Sequence, residues 1–226
     1  MIDATTEIVV GLDCRGHPVA RQLRCEAPLL ARVVAGSGDA LHLAMVGGAA
    51  GPIGGDRLRL RLVVETGARV VVRSVAASIV QPGPRHETST LHTELIVEPL
   101  ATLAWLPQPT VSVAGSAHRS TITLDASSTA NVRVCEAVTL GRHAEPPGHF
   151  RLRERVTIDG DAVLDHETEF APGTLLGPGA HGPARTYSTE VVIGTPLPGP
   201  AVTVGPDCLS STVHLSPLCA LVVSRY

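Results

Sequence analysis

Four times between Val64 and Leu164 the chain repeats one short pattern: an apolar residue, an acid, a turn, and an alanine that opens an apolar run. Val64-Glu65-Thr66-Gly67-Ala68 leads into Val70–Val72, and Val97-Glu98-Pro99-Leu100-Ala101 leads into Leu103–Leu106. Leu124-Asp125, a turn over Ala126–Thr129 and Ala130 lead into Val132–Val134, and Ile158–Ala162 leads into Val163-Leu164. Ala68, Ala101, Ala130 and Ala162 are spaced by 33, 29 and 32 residues. Such a period predicts stacked β units whose turns lie along one edge. Turn chemistry is the competing account, because hairpin turns favour Asp, Gly and Pro in any β protein.

Upstream, Gly47, Gly48, Gly51, Gly54 and Gly55 form a corner poor in side chains that stops at Asp56. From there Arg57, Arg59 and Arg61 alternate with Leu58, Leu60 and Leu62, the period of a half-buried strand. Arg151, Arg153 and Arg155 repeat the ladder. Each ladder reads either as a solvated outer face that discourages strand addition, or as a docking surface for an acidic partner, since guanidinium groups bond carboxylates in a fork.

Apolar residues make up 44% and charged residues 17% of the 226, so the chain is globular, and its length fits one domain over 1–226. Aromatic residues are only 2%, which leaves the core to Val, Leu, Ile and Ala. Short strands are expected at Thr6–Gly11, Val19–Cys25, Leu29–Ala35, Ala40–Val46 and Leu91–Glu98, with breaks at Pro28, Gln81–Glu87 and Pro107-Gln108-Pro109. Residues 172–226 are rich in Gly and Pro, with short strands at Thr189–Ile193, Ala201–Val204 and Thr212–Leu215, and Ser216–Tyr226 is the one place for a short helix. The fold class is mainly β: layered, stacked sheets of solenoid-like character with few short helices.

A net charge of −3 provides no basic field for nucleic acid. Cys14, Cys25, Cys135, Cys208 and Cys219 are odd in number and lack a CxxC pair, so free thiols are expected. No apolar run reaches membrane-spanning length, and the acidic start does not resemble a signal peptide, so a cytoplasmic location is expected.

Ten histidines show no HxH, HxxH or HExxH spacing. Cys135, His143 and His149, near Glu136, are the weak candidates for a borderline metal such as nickel, against scattered surface histidines. A cupin-like metal-dependent enzyme, or a binding module, that uses some of these histidines is the alternative reading, although two clustered histidines and a carboxylate on neighbouring strands are not evident. No GxSxG is present, and the glycine corner lacks the GK[ST] ending and opens a strand, which removes the nucleotide reading. Asp56 is expected to accept backbone N–H bonds and fix the turn, or to be presented to a cation or partner.

Several segments together resemble the urease accessory protein D family (UreD, called UreH in some bacteria). They are Gly54-Gly55-Asp56-Arg57-Leu58 after Gly47-Gly48, Val75-Ala76-Ala77-Ser78, Leu103-Ala104-Trp105-Leu106-Pro107-Gln108, Glu136 through Leu140-Gly141-Arg142, and Arg151–Arg155 with Asp159-Gly160. The match covers roughly residues 20–170. The chain departs from the family at Ser74-Val75, where a Thr-Gln pair is usual, and at His166, where a basic residue often stands. The resemblance implies a β-rich fold and a non-enzymatic scaffold. Such a scaffold docks on apo-urease with accessory proteins F and G and lets nickel reach the active site. No tightly bound cofactor is implied, because nickel passes through or binds transiently. It further implies that Asp56 and Glu136 line or support an internal, water-filled nickel route, while Gly54, Gly55, Trp105, Gln108, Gly141 and Arg142 belong to its motifs.

Overall fold

The computed structural model describes residues 1–173, 184–194, 201–204 and 209–225. His181, Cys208, Tyr226 and most of the Gly/Pro-rich runs 176–184 and 194–201 lie outside the described residues. Every regular element described is a strand: β1 Asp3–Leu12, β2 Pro18–Arg24, β3 Leu29–Val34, β4 Leu41–Gly47, β5 Arg57–Val64, β6 Arg69–Ser74, β7 Ser78–Val80, β8 Ser89–Val97 and β9 Thr102–Leu106. There follow β10 Thr110–Ser112, β11 Ala117–Ala126, β12 Asn131–Leu140, β13 His149–Ile158, β14 Asp161–Phe170, β15 Thr186–Ile193, β16 Ala201–Val204, β17 Leu209–Ser216 and β18 Cys219–Arg225. The short helix expected over Ser216–Tyr226 is instead strand β18, because Cys219, Ala220 and Leu221 are buried against the core as the last turn of a β meander with β15 and β17.

Two sheets face each other. The first runs β14-β13-β11-β8-β5-β1-β2, and the second runs β16-β17-β18-β15-β12-β9-β6-β4-β3, with β7 and β10 attached beside β12. From β4 to β13 the chain winds alternately through the two sheets, and the strands it adds are parallel: β5, β8, β11 and β13 in one, β4, β6, β9 and β12 in the other. This is the coil of a β-solenoid, as the recurring pattern predicted.

The repeated acid has a definite job. Glu98 Oε2 accepts the Thr66 N–H at 2.9 Å, and Asp159 Oδ1 accepts the Ser128 N–H at 3.0 Å, so the acid of one turn holds the backbone of the turn before it. Backbone bonds run the same way, from Glu65 N to Val10 O, Glu98 N to Val64 O, Ser127 N to Val97 O and Asp159 N to Ala126 O. In the third unit the turn position is held by Ser127, not Asp125, because Ala130 bonds back to Ser127 as Ala68 does to Glu65 and Ala101 to Glu98.

The fourth unit departs from the expectation. Ala68, Ala101 and Ala130 are buried, yet Ala162 is exposed, and β14 pairs antiparallel with β13 in the same sheet. Asp159 and Gly160 both have positive φ, 50° and 85°, the two-residue turn whose twist suits a hairpin. The coil therefore stops by folding back on itself.

The alternation of β5 is as the sequence predicts: Leu58, Leu60 and Leu62 are buried and the three arginines exposed. Gly54 explains the corner. A β-carbon there would lie 2.4 Å from the Gly83 nitrogen, and Gly54 N–H donates to Gln81 O at 3.0 Å, so this corner is docked backbone to backbone on the segment after β7. Gly54→Ala should lower stability by about 1–3 kcal/mol, because backbone rather than a flexible side chain must move. Gly173→Ala, which meets nothing and has no positive φ, should leave the thermal midpoint unchanged in the same calorimetric comparison.

Candidate functional site

Between the sheets the core divides in two. The larger cluster includes Ile8, Leu62, Leu95, Leu124, Val134, Val156 and Val191; the smaller holds Val80, Val138, Leu140, Phe150, Leu152, Phe170 and Tyr187. The boundary falls on the same residues in three strands. Glu154 stands between Leu152 and Val156 on β13, Glu136 between Val134 and Val138 on β12, and Thr189 between Tyr187 and Val191 on β15. Glu136 and Thr189 are register partners, and Thr189 Oγ donates to Glu154 Oε1 at 2.7 Å, so both carboxyls meet at one threonine. Trp105 Nε1–H donates to Glu136 Oε1 at 2.9 Å. Thr6, Thr93 and His166 continue this polar belt across the first sheet, in the row Thr6–Leu60–Thr93–Ile122–Glu154–His166.

Two acids in such surroundings resist ionisation. Burial pushes Glu136 up to about 8, with the Trp105 hydrogen bond opposing and the Glu154 charge adding to the shift. Burial pushes Glu154 up to about 7, opposed by the Thr189 hydroxyl. Glu154 is 2% exposed and its Oε2 has no hydrogen-bond partner among the described residues, whereas Glu136 keeps some accessible surface. A paired, part-neutral carboxyl site with an oxygen to spare can exchange protons, and it can hold a small cation once deprotonated.

Glu154 was missed by the sequence reading, although its signal was present. The arginine ladder points one way along β13, so Phe150, Leu152, Glu154, Val156 and Ile158 must point the other, and an acid in that apolar series is out of place. Trp105, chosen only as a motif residue, is the hydrogen-bond donor that orients Glu136.

Asp56 is apart from this pair. It is 2% exposed, its Oδ1 accepts the Ile2 N–H at 2.7 Å, and its Oδ2 accepts the Ile53 N–H at 2.9 Å. It thus clamps the glycine corner to the first residues of the chain, beside a cavity of about 390 Å³ lined by Pro28, Met45, Gly47, Gly51, Leu58, Val75 and His118 among others. Gly55 has φ 93° in the same corner. Gln108 N–H donates to Ser74 Oγ at 2.7 Å, where the chain departs from the family pattern. Gly141, φ 75°, leads into Arg142, whose guanidinium bonds Glu145 twice, at 2.9 and 3.0 Å, and closes the loop after β12.

The arginine ladders lie on the outer face of the first sheet, largely met by acids of adjacent strands. Arg59 pairs with Asp3 at 2.7 Å, Arg61 with Glu94 at 2.8 Å, Arg151 with Glu169 at 3.2 Å, Arg153 with Asp165 at 2.8 Å and Arg155 with Asp165 at 3.3 Å. Arg57 has no such partner among the described residues.

The structure does not bring the metal candidates together. Cys135 faces outward from the second sheet beside Arg133, His149 faces outward from the first and pairs with Glu169, and His143 lies in the exposed loop between them. Burial raises the Cys135 thiol to about 11, so it is protonated at neutral pH. Among the described residues no three His, Cys, Asp or Glu side chains gather as a metal would require. Cys14, Cys25, Cys135 and Cys219 are free, and no helix there is long and apolar enough to cross a membrane.

Two outcomes follow. Both interior carboxyls keep their protons to higher pH in the fold than in the unfolded chain, where Glu titrates near about 4.3. The folded state then binds more protons between about pH 4 and 8, so stability should fall as pH rises through that window. A Glu136→Gln, Glu154→Gln double variant should show a flatter profile of thermal midpoint against pH; parallel profiles would contradict this assignment. Asp56→Ala should cost about 3 kcal/mol in denaturant unfolding, because two part-buried N–H groups lose a charged acceptor.

The family model described as UreD urease accessory protein matches residues 4–224. A urease accessory protein UreD of Parafrankia sp. (strain EAN1pec) is 36% identical over 227 residues, 97% of this chain and 74% of the relative. One from Streptomyces coelicolor is 35% identical over 181 residues, 80% of this chain and 69% of that protein. Urease accessory protein UreD 3 of Streptomyces griseus is 32% identical over 229 residues, 90% and 89% respectively. With a match across both sheets and the carboxyl belt between them, the chain belongs to the UreD urease accessory protein family.

Proposed function

We propose that this protein is a non-enzymatic scaffold for urease maturation in the cytoplasm. It docks on apo-urease together with accessory proteins F and G and gives nickel an internal path toward the urease active site. Membership of the family supports the maturation role. The observation that carries the path is the Glu136–Glu154–Thr189 belt, a line of oxygen ligands running between two apolar clusters, where a solenoid core would otherwise be continuous. Nickel is cargo in this reading: carboxylate and hydroxyl oxygens give a weak, replaceable set, suited to passage rather than storage. Asp56 supports the path by holding the glycine corner at the cavity mouth, with its own oxygens engaged by backbone. Arg57, Arg59, Arg61, Arg151, Arg153 and Arg155 present the docking face, where an acidic partner would exchange places with the intramolecular acids.

The test is coexpression with a urease operon that lacks its own copy of this gene. Glu136→Gln and Glu154→Gln should each lower urease activation and the nickel content of the recovered urease by roughly tenfold, while a pull-down still recovers the partner proteins. Full nickel loading by both variants would remove the belt from the path; loss of the pull-down would show a folding or docking defect instead.

A further inference from the structure

One lateral row of the first sheet concentrates positive charge. Across adjacent strands the register reads Asp3, Arg57, Thr90, Arg119, Arg151, Glu169. Arg119 and Arg151 are direct partners in the β11–β13 ladder, and adjacent strands lie only about 4.8 Å apart. Like charges opposite one another destabilise a sheet unless something lies between them. Arg151 reaches away to Glu169, but that uses one terminal nitrogen; its Nε is buried and has no hydrogen-bond partner among the described residues. Arg119 has no acceptor among the described residues. Between the two opens a cavity of about 230 Å³, lined by Thr88, Ala117, His118, Arg119, His149 and Arg151. Of these, His118 turns its ring to the opposite, inner face, where it is 3% exposed, its Nδ1 lies 2.8 Å from Ser89 Oγ and the ring packs on Phe150.

We infer that this cavity is a binding site for a small oxyanion of the phosphate or sulfate type. Its recognition elements are the free guanidinium of Arg119, the outer end of the Arg151 guanidinium and the hydroxyl of Thr88. An anion there would neutralise the facing pair of guanidinium groups, and forked donors suit tetrahedral oxygens. Glu169 counters Arg151 from the far side and leaves Arg119 as the uncompensated charge, so Arg119 is the residue on which affinity depends. The site lies on the outer face, apart from the Glu136–Glu154 belt, and it stands independently of the maturation role.

The experiment titrates inorganic phosphate into the full chain, with sodium chloride at matched ionic strength as the reference. Heat of binding and thermal midpoint are both followed. The expected result is saturable binding with a raised midpoint, weakened at least about tenfold in Arg119→Gln, the effect of losing one charged hydrogen-bond donor. Arg15→Gln, an exposed arginine in the turn after β1, should bind as the parent chain does. A chloride reference that reproduces the phosphate effect, or an Arg119→Gln chain that binds phosphate unchanged, overturns the site. Because Arg119 is exposed and makes no contact that the fold uses, its variant keeps the comparison free of folding defects.

Discussion

The stacking of crossover turns holds the whole molecule in register. Each turn donates a backbone hydrogen bond to the end of the preceding coil, and at Thr66 and Ser128 a side-chain acid from the next turn closes a second bond. Because side chains alternate between faces, a slip of one residue would turn every inward leucine outward. The turns prevent that in both sheets at once, since each is the end of a strand in one sheet and the start of a strand in the other. The rows across the first sheet, arginines outside and aliphatics inside, are the direct result.

That fixed register places an unfavourable feature with accuracy. A carboxyl between apolar layers loses its hydration, and Glu136 and Glu154 both respond by holding their protons. Trp105 and Thr189 offset part of the cost with one hydrogen bond each, and one oxygen of Glu154 receives nothing. Replacing such a pair with leucine would join the two clusters into one core and remove the desolvation cost. Stability does not account for these residues.

Much of the architecture was legible because it rests on local rules. The turn-and-alanine pattern marked three crossovers, the Arg/Leu alternation marked β5 and its faces, and the lack of helical periodicity confined any helix to one short stretch. The fourth crossover was misread, because Asp159-Gly160 fits the repeat equally well as a turn and as a hairpin. What distinguishes them is positive φ at two successive residues, a conformation that a residue pattern alone does not declare. The helix expected at the end failed for a related reason: Ser216–Tyr226 has no intrinsic preference strong enough to resist pairing with β15 and β17.

By itself, then, the sequence determined the mainly β class, the faces of β5 and β13, the family, and the selection of Glu136 as an acid in an apolar setting. Only the tertiary structure decided that Glu154 and Thr189 meet it. The reason is separation: the three come from different strands, and Glu154 lies in the opposite sheet, so nothing in their spacing links them. In the same way Arg119 and Arg151 are 32 positions apart along the chain but neighbours in the ladder. Their facing charges, and the cavity between them, exist only once two coils are stacked.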